Sequence, residues 1–129
     1  MLLISDAEQF ADRIVSVLRV NRIGVVTVDT CRQALALVPE HLRPRAVVVD
    51  IERAAHWSSC EDVVAAADRV PCPVVAVTSW TAFDGRFRRR AFGVGCAGFV
   101  RKAIAREVLA SALQRVISGE RRIDYSYRY

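Results

Sequence analysis

Five short apolar runs separated by segments of helical periodicity constrain the fold of this chain more than any other feature. The runs cover residues 2–4, 23–28, 46–49, 74–77 and 98–100. Three of them are rich in β-branched residues and nearly continuous, which is typical of strands covered on both faces in a parallel sheet. Strands that alternate with helices predict a doubly wound, three-layer α/β domain.

The intervening segments carry apolar stripes at helical spacing. The first stripe runs from Phe10 through Ile14 to Leu18, and the clearest one runs from Ile104 to Val116. Gly119 follows the last stripe and is the predicted stop of that helix. We therefore expect one domain over residues 1–119 with a five-stranded parallel sheet, followed by a short tail over residues 120–129.

Charge is distributed unevenly along the chain. Residues 1–85 carry 8 basic and 11 acidic side chains, whereas residues 86–129 carry 11 basic and 3 acidic ones. Eighteen of the nineteen basic residues are arginine, and the single lysine is Lys102. This asymmetry predicts that the acidic part holds the chemistry and the basic part a surface for a partner.

Cysteine usage and the lack of long apolar runs bear on the cellular compartment. Cys31, Cys60, Cys72 and Cys96 form no CxxC pair, so we expect reduced, separately buried thiols rather than disulfides or a zinc site. No run approaches the ~20 apolar residues that a membrane span requires. The N-terminus has neither the basic lead-in nor the cleavage site of a signal peptide. We expect a cytoplasmic protein with no membrane partner.

Polar residues follow the predicted strands at the points where they end. In a doubly wound sheet, ligands collect beyond the carboxyl ends of the strands. Carboxylates that converge there repel each other unless a cation lies between them, and oxygen ligands suit Mg²⁺. A lysine or a threonine at the same edge can bind a phosphoryl group. The residues in question are Ser5, Asp6, Asp29, Asp50, Thr78 and Lys102.

Three segments, in this order and spacing, resemble the receiver domain family of response regulators. RPRAVVVD (residues 43–50) is similar to the third strand and its phosphoacceptor, and CPVVAVTS (residues 72–79) to the fourth strand and its Thr/Ser. AFGVGCAGFVRK (residues 91–102) is similar to the segment with the aromatic switch position and the lysine. The resemblance implies a flavodoxin-like (βα)5 fold and covers residues 1–119.

The resemblance also implies a role for individual residues. Asp50 would accept the phosphoryl group, Thr78 would hydrogen-bond it, and Lys102 would pair with it. Asp6 and Asp50, with the backbone carbonyl of Glu52, would hold Mg²⁺. Thr78 and Phe99 would form the conformational switch. No autonomous enzyme is expected, beyond self-dephosphorylation of the acyl phosphate.

The chain departs from the family pattern around this site. Receivers begin with an acidic pair, where this chain has Ser5 and Asp6. The stripe from Phe10 favours a register with Asp6 as the direct metal ligand, but a slip by one residue would put Ala7 there. Glu52 would either face solvent or lie over the pocket, and the loop after Asp50 would carry His56 and Trp57. Ala103 replaces a proline that is typical of the family.

Two functions from different classes follow. The first is a single-domain receiver in a two-component phosphorelay, phosphorylated by a sensor histidine kinase or phosphotransfer protein and switching a protein partner. The second is a pseudo-receiver that binds partners without phosphorylation. Nucleic-acid binding is not expected, since no reader domain follows. The partner, or a second copy of the chain, would bind the face of the fourth helix, fifth strand and fifth helix. Its predicted residues are Arg86, Arg88, Arg89, Arg90, Arg101 and Arg106.

Overall fold

The computed structural model describes residues 1–37, 44–52, 55–68, 72–79 and 86–125. Six strands alternate with five helices in this part of the chain. The strands are β1 (Leu2–Ile4), β2 (Val26–Val28), β3 (Val47–Ile51), β4 (Val74–Thr78), β5 (Gly98–Arg101) and β6 (Ile123–Tyr125). The helices are α1 (Glu8–Val20), α2 (Cys31–Leu37), α3 (Ala55–Asp68), α4 (Arg86–Val94) and α5 (Ala105–Ile117). Pro39, Trp80 and residues 126–129 lie outside the described residues.

The strands form one parallel sheet in the order β2-β1-β3-β4-β5-β6. The expectation of a five-stranded sheet is wrong, because the predicted tail supplies a sixth strand. Ile123 is 4% exposed, and its amide donates a hydrogen bond to the carbonyl of Ala97 at 3.0 Å. Three residues with a single buried side chain are too short a pattern to identify a strand from sequence.

The two faces of the sheet are covered by different helices, which confirms the predicted α/β architecture. On one face, Val47 and Val49 belong to a core cluster with Val63 of α3 and Ala91 of α4. On the other face, Val48 belongs to a second cluster with side chains of α1 and α5. Alternate residues of β3 therefore serve opposite layers, as the pleat of a strand requires. This explains why the run at Val47–Val49 has no polar interruption.

Several element boundaries differ from the predictions by one or more residues, those of β2 and α3 most of all. β2 begins at Val26 rather than at residue 23. α3 begins at Ala55, so His56 and Trp57 lie on a helix and not on a loop. The end of α5 is as predicted: Gly119 has a φ of +108°, in the left-handed region that favours glycine.

The four cysteines are free, but they are not all separate from one another. The sulfurs of Cys60 and Cys96 lie 3.9 Å apart in the core. The expectation of separately buried thiols therefore fails for this pair. In the described ranges, no helix is both long and apolar enough to cross a membrane.

The sixth strand provides a test of the fold. Replacing Ile123 with alanine removes a buried side chain from the core cluster on the α1 and α5 face. We expect the free energy of unfolding to fall by about 2–4 kcal/mol, the usual cost of such a truncation. Chemical denaturation measures this change. Val20→Ala is the matched control, because Val20 is 84% exposed. Equal stability of the two variants would contradict the placement of β6.

Candidate functional site

Four polar residues meet at the carboxyl edge of the sheet. Ser5 directly follows β1, Asp50 is the penultimate residue of β3, Thr78 ends β4 and Lys102 directly follows β5. The parallel register pairs Ile51 with Thr78 and so brings the ends of β3 and β4 side by side. Because β1 and β4 flank β3 in the sheet, Asp50 lies at the centre of the group.

The carboxylate of Asp50 is buried and bound by two donors. Its side chain is 1% exposed. Ser5 Oγ donates a hydrogen bond to Oδ2 at 2.7 Å, and Lys102 Nζ lies 3.2 Å from Oδ1 and 3.1 Å from Oδ2. A buried carboxylate is costly unless it is paired and hydrogen-bonded, and these contacts meet both conditions.

Lys102 is shared between two carboxylates. Its Nζ also contacts Glu52 Oε1 at 3.0 Å and lies 4.4 Å from the centre of the Phe10 ring. Ser79 Oγ donates to the other carboxylate oxygen of Glu52 at 2.9 Å. Of the two sequence-based alternatives for Glu52, the geometry therefore supports the one in which its carboxylate lies over the site.

The sequence did not indicate that His56 and Ser79 contact Glu52. The backbone N–H of Glu52 donates to His56 Nδ1 at 3.0 Å. The hydrogen bond spans four residues because α3 begins immediately before His56. Residues 51–59 contain no proline or glycine. This feature of the sequence could have indicated an earlier start of the helix and so the contact between His56 and Glu52.

The two predicted switch residues are held in one arrangement. Thr78 is 1% exposed, and its Oγ1 donates to the backbone carbonyl of Ile51 at 2.7 Å. Phe99 is completely buried in the core cluster on the α3 and α4 face. The Thr78 hydroxyl is thus engaged with the neighbouring strand.

The residues predicted to hold Mg²⁺ have suitable donor atoms, but their side chains are not arranged as a metal site in the described part of the chain. The predicted ligand set, Asp6, Asp50 and the Glu52 carbonyl, consists of the hard oxygen donors that Mg²⁺ prefers. Asp6 is exposed, and three of the four lone-pair positions of Asp50 accept hydrogen bonds from Ser5 and Lys102. Among the described residues, no three Asp, Glu, His or Cys side chains are arranged to hold a metal.

Burial raises the pKa of the Asp50 carboxyl above its usual value. The hydrogen bond from Ser5 and the charge of Lys102 act in the opposite direction, and the nearby charge of Glu52 adds to the increase. Loss of hydration is the largest of these effects because the carboxylate exchanges water for only two donors. The site therefore keeps a carboxylate that is more basic than an exposed aspartate.

The six arginines of the predicted partner surface do not form one surface in the structure. Arg101 and Arg106 line a cavity of about 400 Å³ with Phe10, Arg13, Ser79, Lys102 and Ala103. Arg88 and Arg89 line a different groove, between α4 and β6. Arg90 is exposed on α4, and the side chain of Arg86 lies outside the described part.

Solved structures provide the comparison with known proteins, since no family model and no curated protein matches the chain. The signal receiver domain of a signal transduction histidine kinase from Syntrophus aciditrophicus is 23% identical, with a TM-score of 0.76 over 92% of this chain and 89% of that one. The chemotaxis response regulator CheY4 of Vibrio cholerae is 21% identical, with a TM-score of 0.72 over 89% and 95%. The signal receiver domain of a modulated diguanylate cyclase from Desulfovibrio desulfuricans G20 is 21% identical, with a TM-score of 0.73 over 91% of each. The chain therefore has the fold of response regulator receiver domains.

The raised pKa of Asp50 predicts how stability depends on pH. In the native state Asp50 holds its proton more tightly than in the unfolded chain, so its contribution favours folding in acid and is lost as pH rises through the native pKa. Asparagine does not ionise, so Asp50→Asn does not lose this contribution to stability as pH rises. The variant should gain stability relative to wild type as pH rises above the usual aspartate pKa, and the gain should vanish in acid. Urea unfolding at several pH values measures it.

Asp12→Asn serves as the control for this measurement, because Asp12 is exposed on α1. A difference between Asp50→Asn and wild type that does not change with pH would contradict the account of Asp50 as a carboxylate strained by burial.

Proposed function

We propose that this chain is a receiver that accepts a phosphoryl group on Asp50 in a two-component phosphorelay. The donor would be a sensor histidine kinase or a phosphotransfer protein, and the output would be a protein partner. The observation that carries the proposal is the buried Asp50 carboxylate bound by Lys102. The carboxylate lies at the carboxyl edge of the sheet, in a chain that has the fold of receiver domains.

In the proposed reaction, an Asp50 oxygen attacks the phosphorus of the donor. A bond forms between that oxygen and phosphorus, the bond from phosphorus to the donor breaks, and the electron pair leaves with the donor. Lys102 compensates the negative charge on the phosphoryl oxygens, which is the main catalytic need of phosphoryl transfer. Mg²⁺ bound by Asp6, Asp50 and the Glu52 carbonyl would supply further compensation of the same charge.

Two contacts must change during this reaction. Lys102 contacts Glu52 at 3.0 Å, and a new phosphoryl group would compete with Glu52 for the ammonium. The Thr78 hydroxyl donates to the Ile51 carbonyl and would have to leave it to donate to the phosphoryl group. Rotation of Thr78 frees space next to the core that holds Phe99, which couples the site to a change in packing near α4.

The output surface in this proposal is the basic side of α4. An excess of arginine there attracts an acidic partner and increases its association rate. Arg88, Arg89 and Arg90 lie on α4, whereas Arg101 and Arg106 border the cavity beside Lys102. Either a downstream protein or a second copy of the chain is compatible with this surface.

The alternative is a pseudo-receiver that binds its partner without phosphorylation. Ser5 supports this alternative, because its hydroxyl donates a hydrogen bond to Asp50 Oδ2 at 2.7 Å. An acidic residue at this position would instead help to attract a metal. The Glu52–Lys102 contact supports the alternative as well, because the ammonium is already engaged. Both contacts stabilise the unphosphorylated state.

A phosphorylation experiment distinguishes the two functions. Incubation with acetyl phosphate and Mg²⁺ should add a single phosphoryl mass to the wild-type protein and none to Asp50→Asn, as measured by intact-mass spectrometry. Glu52→Gln should be labelled severalfold faster, because it frees Lys102 from a competing carboxylate. Asp6→Ala or omission of Mg²⁺ should slow the labelling.

Glu61→Gln is the matched control, since Glu61 is an exposed carboxylate on α3 outside the site. Equal labelling of wild type and Asp50→Asn would show that Asp50 is not the acceptor. A complete lack of labelling in wild type and Glu52→Gln would favour the pseudo-receiver.

A further inference from the structure

A groove of about 440 Å³ lies between α4 and β6, away from the residues that surround Asp50. It exists because β6 extends the sheet beyond β5 and places its side chains beside α4. The described lining consists of four residues of α4, one residue of β6 and the residue that directly precedes β6. They are Arg88, Arg89, Phe92, Gly93, Asp124 and Arg122. Neither the phosphoacceptor chemistry nor the predicted metal site uses this groove.

Two of the three arginines are held in position by their neighbours. The guanidinium of Arg122 lies 4.8 Å from the centre of the Phe92 ring, and a cation stacked on a ring is attracted by its negative face. Arg122 also has a φ of +58°, a strained conformation for a residue with a side chain. Arg88 Nη1 lies 3.4 Å from Asp124 Oδ2. These contacts reduce the freedom that each guanidinium would lose on binding a ligand.

The charge of the groove suits a dianion. Among the described residues, three guanidinium groups and one carboxylate line it, which gives this lining a formal net charge of +2. A guanidinium offers parallel N–H groups that match the oxygens of a phosphate or carboxylate. A phosphate monoester carries about −1.5 to −2 charges at pH 7, so its charge complements that of the groove.

The described lining of the groove offers no apolar anchor for an inserted peptide, although the arginines of α4 can still attract the acidic surface of a protein. Peptide and protein partners gain most of their affinity from aromatic or aliphatic side chains in desolvated pockets. Phe92 is the one large apolar side chain in the lining, and Arg122 already covers its ring. A volume of about 440 Å³ also falls in the range of small-molecule sites.

We propose that the groove between α4 and β6 binds a small phosphate-bearing molecule, held by Arg88, Arg89 and Arg122. The ligand contacts α4 and β6 at once and thereby ties the sixth strand to the helix. The site does not depend on phosphorylation of Asp50, and a pseudo-receiver would bind the same ligand.

Methyl phosphate is the probe for this site. It would be titrated into the Asp50→Asn protein at constant ionic strength, with amide chemical shifts followed by NMR. The largest shifts should occur at Phe92, Gly93 and Arg122. Arg122→Ala should weaken binding about tenfold, the effect of one lost charge-assisted contact. The affinity of Arg122→Lys should lie between that of the parent protein and that of Arg122→Ala, because lysine keeps the charge but lacks the planar fork of arginine.

Arg32→Ala is the matched control, since it removes one exposed arginine from α2. Its affinity should stay within about twofold of the parent, as screening predicts for a distant charge. Equal weakening by Arg32→Ala and Arg122→Ala would overturn the proposal in favour of non-specific charge attraction. The largest shifts at Lys102 and Arg106 would also overturn it, as would shifts at Phe92, Gly93 and Arg122 that a hexaglutamate peptide produces and methyl phosphate does not. The Asp50→Asn background separates these outcomes from those of the phosphoacceptor test.

Discussion

The ion pair between Lys102 and Asp50 is the interaction on which the carboxyl edge of this sheet depends. The Asp50 side chain is 1% exposed, so its charge has little water to stabilise it. Removal of the Lys102 ammonium would leave the Asp50 charge buried and uncompensated, which typically costs about 3–5 kcal/mol. The single lysine of a chain that otherwise uses arginine lies where a compact ammonium can contact both Asp50 oxygens.

In the proposed function, the same pair would set the balance between the unphosphorylated and the phosphorylated state. Glu52 shares the ammonium of Lys102 with Asp50, and the Ser5 hydroxyl donates to one oxygen of the Asp50 carboxylate. Thr78 donates to the strand that carries Asp50 instead of to the site. Each contact stabilises the unphosphorylated arrangement, and each would be exchanged for a contact with a phosphoryl group. The proposed switch therefore consists of a few exchanged hydrogen bonds at one edge of a rigid sheet.

The sixth strand gives the chain a second polar surface. In the sequence, the arginines of α4 and those that follow β5 belong to one basic segment. In the structure, those of α4 meet Arg122 and Asp124 in a groove, while Arg101 and Arg106 border the cavity beside Lys102. The arginines of the basic segment thus line two separate cavities, of which only the second lies beside Lys102.

The sequence alone predicted the sheet, the helices and the residues at its edge, because strands buried on both faces leave continuous apolar runs. Asp50 and Thr78 could be located because each directly follows such a run, and Lys102 because it lies two residues beyond one. The sixth strand could not, since Ile123 is its single buried residue. The contacts of Ser5 and Glu52 depend on side-chain directions, and the pairing of Cys60 with Cys96 depends on how α3 packs. None of these has a periodic pattern.

A crystal structure of the protein with Mg²⁺ and beryllofluoride would test the central claim most directly, because beryllofluoride forms the tetrahedral geometry of a phosphoryl group on a carboxylate oxygen. The account predicts beryllofluoride on Asp50, with Lys102 Nζ within hydrogen-bond distance of a fluoride and no longer in contact with Glu52. The hydroxyl of Thr78 should have left the Ile51 carbonyl to face the fluorides. An Asp50 without beryllofluoride, and a Lys102 still bound to Glu52 at saturating concentrations, would contradict it.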